Sequence, residues 1–311
     1  MKKTLVIATR DSALALWQAE YVRASLEKRF RSVEVKLLKM KTKGDKILDQ
    51  ALSKIGDKGL FTKEIENALL DGRAHIAVHS LKDLPTVTPE GLRIAAITPR
   101  AMVNDVLISR KWKSLEDLPE GAVIATGSLR RTAQLKHLRP DLEIVDIRGN
   151  LNTRMKKFHA STWDGMMLAY AGVERLGWAD RIAQIIPTDL ILPAVGQGAL
   201  GVEIREDDAD TARYVRALNH EATAAAAAAE RALLATLEGG CQIPIGAWAR
   251  DIDGRLTLDA MVASVDGTVR LDTRGSTQNP ATAASMGRRV ANKLLANGAR
   301  EILDAIRTEQ P

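Results

Sequence analysis

Leu5-Val6-Ile7-Ala8, then Thr9-Arg10-Asp11-Ser12, then Ala13 to Arg29 is the stretch whose reading decides the fold. The apolar run is a buried strand and the polar quartet a corner. Leu14, Trp17 and Tyr21 fall on one stripe of a helix that Ser12 or Asp11 can cap. A strand that hands over to a helix at a polar corner is half of a βαβ unit, and the same grammar recurs downstream. Val33 to Met40 reads as a second strand and 53–59 as a basic loop. A helix over 61–70 ends at Asp71-Gly72, and a short buried strand from His75 to Val78 runs into Ser80-Leu81-Lys82-Asp83-Leu84-Pro85. Strand and helix alternate, which predicts a mainly parallel sheet.

The segment from Thr98 to Asp105 breaks this pattern and reads as a linker. Beyond it, Ala122 to Ala125 is a strand, Thr126-Gly127-Ser128 a corner and Leu129 to Leu138 a helix. Glu143 to Ile147 is a strand, Arg148-Gly149-Asn150 its corner, Leu151 to Phe158 a helix and Gly165 to Tyr170 a strand. A third region differs. It opens with a helix over Glu221 to Leu237 containing the run Ala224 to Ala229, which helix propensity explains. Strands near Leu256 to Ala263 and Val269 to Thr273 follow, and then a last helix from Ala281 to Ala296.

With 311 residues and 45% apolar content the chain can build two or three domain cores. The one cysteine rules out a disulfide framework within the chain. The apolar run at Leu5 is too short for a secretion signal, and no later run approaches a membrane span, so a cytoplasmic protein is expected. Lys and Arg total 45 against 39 acids, a net charge of +6 that favours an anionic partner. Aromatic content of 4% is too low for a base-stacking platform.

Arg10, Lys82, Arg130, Arg131 and Arg148 all lie where a predicted strand ends or the next helix begins. In open α/β sheets that edge is where ligands bind. A cation in the first turn of a helix opposes the macrodipole, so helix stability does not account for Arg130 and Arg131. With the orphan N–H groups of the helix start and the hydroxyls of Thr126 and Ser128 they compose an anion site, which Arg154 extends. Planar guanidiniums hold carboxylates in bidentate forks, which suits a ligand bearing several acid groups. Asp83 is the acid that stands out here. It either caps a turn before Pro85 or handles protons and stabilises a cation.

Cys241 follows Gly239-Gly240 and precedes Pro244, so its thiol rides on a shaped turn. By itself it is either a small buried hydrophobe or a reactive sulfur. Metal binding is not expected. His75 and His79 are four apart on a strand, about 13 Å, and there is no Cys/His cluster.

Seven blocks in order carry a resemblance along nearly the whole chain. They are Ala8 to Leu16, Gly59 to Glu64, Val78 to Pro85, Gly127 to Arg131, Ile147 to Asn150, Leu192 to Ala199 and Glu238 to Gly246. Together they resemble the porphobilinogen deaminase (hydroxymethylbilane synthase) family of tetrapyrrole biosynthesis. The resemblance implies two doubly wound α/β domains like the lobes of a periplasmic binding protein, and a smaller α+β C-terminal domain. Domain 1 would be 1–97 completed by 196–216, domain 2 98–195 and domain 3 217–311.

It further implies a monomeric transferase, with neither nucleic acid nor membrane as partner, that condenses four porphobilinogen units onto a dipyrromethane cofactor. That cofactor would be held by a thioether at Cys241. Asp83 would be catalytic. Lys82, Ser80, Thr126, Ser128, Arg130, Arg131 and Asp83 would hold the cofactor. Arg10, Ser12, Gln18, Arg148, Arg154, Arg175 and Gln197 would bind the substrate and growing chain, and Lys54 and Lys58 would sit on a covering loop. The chain departs from the family's pattern at the hinge Pro99 to Val106, at Gly127 where many relatives carry a hydroxyl, and at the alanine run. A two-lobed binding protein for a small anion and a nucleic-acid-binding regulator are the other readings; the missing secretion signal and the cysteine loop count against the first, and no recognition helix or aromatic patch supports the second.

Overall fold

The computed structural model describes residues 2–46, 59–238 and 243–308. They form two compact units, one of residues 2–46, 59–101 and 198–224, the other of 102–197, 225–238 and 243–308.

The first unit holds β1 (Lys3–Arg10), β2 (Val33–Met40), β3 (Ile76–Ser80), β4 (Leu92–Ile97) and, from much later in the chain, β10 (Leu200–Arg205). They form one sheet in the order β2-β1-β3-β10-β4. Alternation along β1 serves two helices. Leu5 and Ile7 pack with Val22 and Leu26 of the helix Ala13–Arg29, while Ala8 packs with Ile65 and Leu69 of the helix Lys63–Leu70. Ser12 caps the first of these helices, accepting the Ala15 N–H at 3.4 Å.

The second unit begins with a sheet of the same plan: β5 (Asp105–Ile108), β6 (Val123–Ala125), β7 (Glu143–Val145), β8 (Gly165–Ala169) and β9 (Gln184–Ile185), ordered β7-β6-β8-β5-β9. Ile124, Leu107 and Met167 pack with Leu135 of the helix Leu129–Leu138. Ala125, Val106 and Met166 pack with Met155 and Phe158 of the helix Leu151–His159. Its C-terminal part is an antiparallel sheet, β11 (Ile245–Ile252), β12 (Arg255–Ala263) and β13 (Arg270–Thr277). The helices Glu221–Thr236, Ala283–Leu294 and Arg300–Thr308 bury one face of it, with Leu233, Val290 and Leu303 against Ala247 and Leu258.

The sheets of the two lobes are mixed and not mainly parallel. β1 pairs in parallel with β2 and β3, but β10 runs antiparallel to both β3 and β4, and β5 likewise to β8 and β9. The physical reason lies in the connections. β5 and β10 each follow a point where the chain passes from one unit to the other, so no crossover helix within their own sheet fixes their direction. The expected linker ends in β5, since Asp105 already belongs to the strand. β4, β10 and β11 and the terminal helix Arg300–Thr308 are further elements that the patterning did not announce.

The alanine run has a packing reason as well as propensity. Ala226, Ala227 and Ala229 are buried, and a Cβ placed on Gly287 of the facing helix would run into the carbonyl of Ala229. The two helices approach closely because both present small residues there. Gly287→Ala is therefore expected to destabilise the protein by about 1–3 kcal/mol, as overpacking does. A urea unfolding midpoint equal to wild type would contradict this contact.

Candidate active site

In the first unit the corner after β1 and the turn after β3 meet. Arg10, Ser12, Gln18, Phe61, His79, Ser80 and Asp83 line one recess at the ends of these strands. β1 runs parallel to β3, so their C-terminal ends open on the same edge. The Arg10 guanidinium lies over the Phe61 ring at 4.5 Å, which fixes the cation while its charge faces the recess. Buried Gln18 donates from Nε2 to the Ser80 hydroxyl at 2.8 Å. Asp83 ends the 3-10 turn Leu81–Asp83 and is exposed to the recess, whereas Leu81 is buried and donates its N–H to the Ala199 carbonyl at 3.0 Å. Lys82 stands between them in that turn, half-buried.

In the second unit the corner after β6 leads into the helix Leu129–Leu138, as the sequence places it. Thr126 is buried and its hydroxyl accepts the Ser128 N–H at 3.3 Å. Arg130 and Arg131 are 4% and 5% exposed, and both pair with Asp105, each at 2.7 Å. Burial alone would raise the Asp105 pKa, but the charges of Arg130 and then Arg131 outweigh it and hold the carboxyl well below the usual carboxylate range. Arg130 also donates to the Leu192 carbonyl at 2.6 Å and Arg131 to that of Met167 at 3.1 Å. Gln197 is likewise buried and donates to Asp105 at 2.9 Å and to the Val103 carbonyl at 2.7 Å. Asp105 is the residue that the sequence reading missed. An acid leading the otherwise apolar strand Asp105–Ile108 was the available signal.

The corner after β7 carries Arg148, buried, whose pKa burial lowers against the opposing charge of Asp146. Arg154 folds back and donates from Nε to the Gly149 carbonyl at 2.8 Å, and Asn150 caps the helix by accepting the Thr153 N–H. Arg175 closes the short helix Tyr170–Arg175 after β8. Gly127 has no room for a side chain, since a Cβ would lie 2.8 Å from the Ile147 carbonyl oxygen and 3.0 Å from an Asp146 carboxylate oxygen. Cys241, Lys54 and Lys58 lie outside the described residues. Among the described residues no helix is long and apolar enough to cross a membrane.

Comparison with known proteins adds a full-length likeness. The family model for the porphobilinogen deaminase dipyromethane cofactor binding domain matches residues 5–213, and that for the porphobilinogen deaminase C-terminal domain matches 224–296. A porphobilinogen deaminase of Chlorobaculum parvum is 56% identical over 309 residues, covering 99% of each chain. One from Chlorobium luteolum is 54% identical over 310 residues with the same coverage. The solved methionine binding protein MetQ overlaps 69% of this chain and 89% of its own at a TM-score of 0.43 and 13% identity, too distant to carry an argument. Two family models that between them span most of the chain, and relatives more than half identical from end to end, establish that it belongs to the porphobilinogen deaminase family, enzymes of tetrapyrrole biosynthesis.

Proposed function

We propose that this chain is a transferase, a hydroxymethylbilane synthase, that joins four porphobilinogen units head to tail with loss of ammonia and then releases linear hydroxymethylbilane by hydrolysis. The observation that carries the reading is the recess of the first unit, where the Asp83 carboxylate shares one wall system with the Arg10 cation and the polar groups of Ser12, Gln18 and Ser80. In each addition the aminomethyl carbon of porphobilinogen loses ammonia and bonds to a free pyrrole carbon, from which a proton departs. Asp83 is the catalytic carboxylate: it stabilises the azafulvene-like cation left as ammonia leaves, and it assists the proton's departure. Ser12 and Gln18 position the substrate beside it.

A dipyrromethane held as a thioether at Cys241 supplies the starting pyrrole when bound. The donor set supports such a group. Two guanidiniums against the single Asp105 carboxylate leave a positive surplus, and the Nε of both Arg130 and Arg131 lacks a hydrogen-bond partner among the described residues. A carboxylate-bearing ligand would offset that surplus, with Lys82, Ser80, Thr126 and Ser128 adding donors. Arg10, Arg148, Arg154, Arg175 and Gln197 take the acid side arms of substrate and growing chain, and Lys54 and Lys58 belong to a covering loop. The domain reading of 1–97 with 196–216, 98–195 and 217–311 goes with this assignment, as does a cytoplasmic monomer.

Two variants test the assignment. Intact mass of the purified protein should exceed that of its sequence by one dipyrromethane, and Cys241→Ser should show the bare mass. Asp83→Asn should keep the added mass yet lose about 100-fold or more in turnover. A bare wild-type thiol in active enzyme, or full activity in Asp83→Asn, contradicts the reading.

A further inference from the structure

Beneath the recess lies a set of ionisable groups that no step above uses. His79, Glu203 and Glu66 are 6%, 1% and 7% exposed. They come from β3, β10 and the helix Lys63–Leu70, and the register explains their meeting. Gly201 stands opposite His79 and Glu203 opposite Ala77, so His79 and Glu203 share the sheet face that this helix covers. His79 Nε2 lies 3.2 Å from a Glu203 carboxylate oxygen. Even so, both oxygens of Glu203, one of Glu66 and His79 Nε2 have no hydrogen-bond partner among the described residues. Buried polar groups left in that state call for a functional or electrostatic reason.

The same face carries the turn that bears Asp83. A Cβ on Gly201 would lie 2.9 Å from Leu84 Cδ1 and 3.2 Å from Leu81 Cδ1, so the residues flanking Asp83 rest on the strand position directly opposite His79. His79 is also among the residues lining the recess with Arg10 and Asp83. We propose that the buried His79–Glu203–Glu66 cluster positions the Asp83 turn, with Glu203 orienting the His79 ring and Glu66 closing the cluster against the helix. His79 is a positioning residue: it acts on the chemistry through the turn and not by touching the reacting atoms. The proposal rests on the catalytic role given to Asp83 above.

Burial first, and the charge of Glu203 after it, push the Glu66 carboxyl above the usual glutamate range, against the lowering effects of Thr62 and His79. The sign follows from proton uptake. The folded state binds a proton that the unfolded state has released, so stability falls as pH rises from the ordinary glutamate range through the raised value.

The test uses cofactor-loaded enzyme and compares Glu203→Gln, His79→Gln and Glu66→Gln with wild type. Glu203→Gln should lower kcat about tenfold or more while KM for porphobilinogen stays within about twofold, the split expected when a transition-state contact is misplaced. Should Glu203→Gln fail to fold, His79→Gln carries the same expectation. Glu66→Gln, which has no carboxyl proton to release, should gain stability relative to wild type as pH rises above the glutamate range. Wild-type kcat in folded Glu203→Gln or His79→Gln overturns the proposal, as does a Glu66→Gln stability difference that does not change with pH. Wild type unable to make hydroxymethylbilane in the same assay would instead fault the proposed function.

Discussion

The bond between one buried carboxylate and two buried guanidiniums is the interaction on which the second unit depends. Asp105, fully buried, opens β5 and so stands at a strand interior to the sheet, and it holds Arg130 and Arg131 at the start of the helix Leu129–Leu138. Neither arginine would be tolerated there alone. Each faces the positive end of a helix dipole, and burial lowers the Arg130 pKa against the opposing field of Asp105. With Asp105 present the trio still carries one positive charge in excess. Under the proposed function, that excess is what a carboxylate of the ligand would offset.

Buried carboxylates perform comparable work elsewhere in the chain. Glu230, with no exposed surface, accepts the Gly196 N–H at 2.7 Å and the Ala249 N–H at 2.8 Å. It thereby ties the alanine-rich helix to β11 and to the segment that also carries Gln197. The alanines let the helices close in, and Glu230 supplies the polar anchor that a run of methyl groups lacks. In the first unit Glu203 and Glu66 surround His79 under the Asp83 turn. Each of these buried acids lies next to a segment that carries proposed site residues.

Much of the architecture was legible in the sequence because local signals agreed with the global fold. The helix Ala13–Arg29 and strand Val33–Met40 have the bounds that their patterning predicts, since cap, periodicity and terminal breakers coincide. The cationic corners were legible for a similar reason: arginines at strand ends and helix starts oppose propensity and so point beyond local structure. What could not be read is non-local. The reversed direction of β5 and β10 is set by pairing far along the chain, as with Leu107 and Met167 or Val202 and Val78. Asp105 reads as linker in the sequence because its partners are 25 and 26 residues away, and Glu203 carries no signal because its strand β10 is itself unannounced. Buried charge is visible only once its partners are in place.

The decisive measurement is unfolding stability together with intact mass on one preparation of Asp105→Asn. Because two guanidiniums lose their buried counter-charge, the expectation is a loss of about 3–5 kcal/mol and a protein mass with no added dipyrromethane. An Asp105→Asn protein as stable as wild type and fully loaded with cofactor would contradict it.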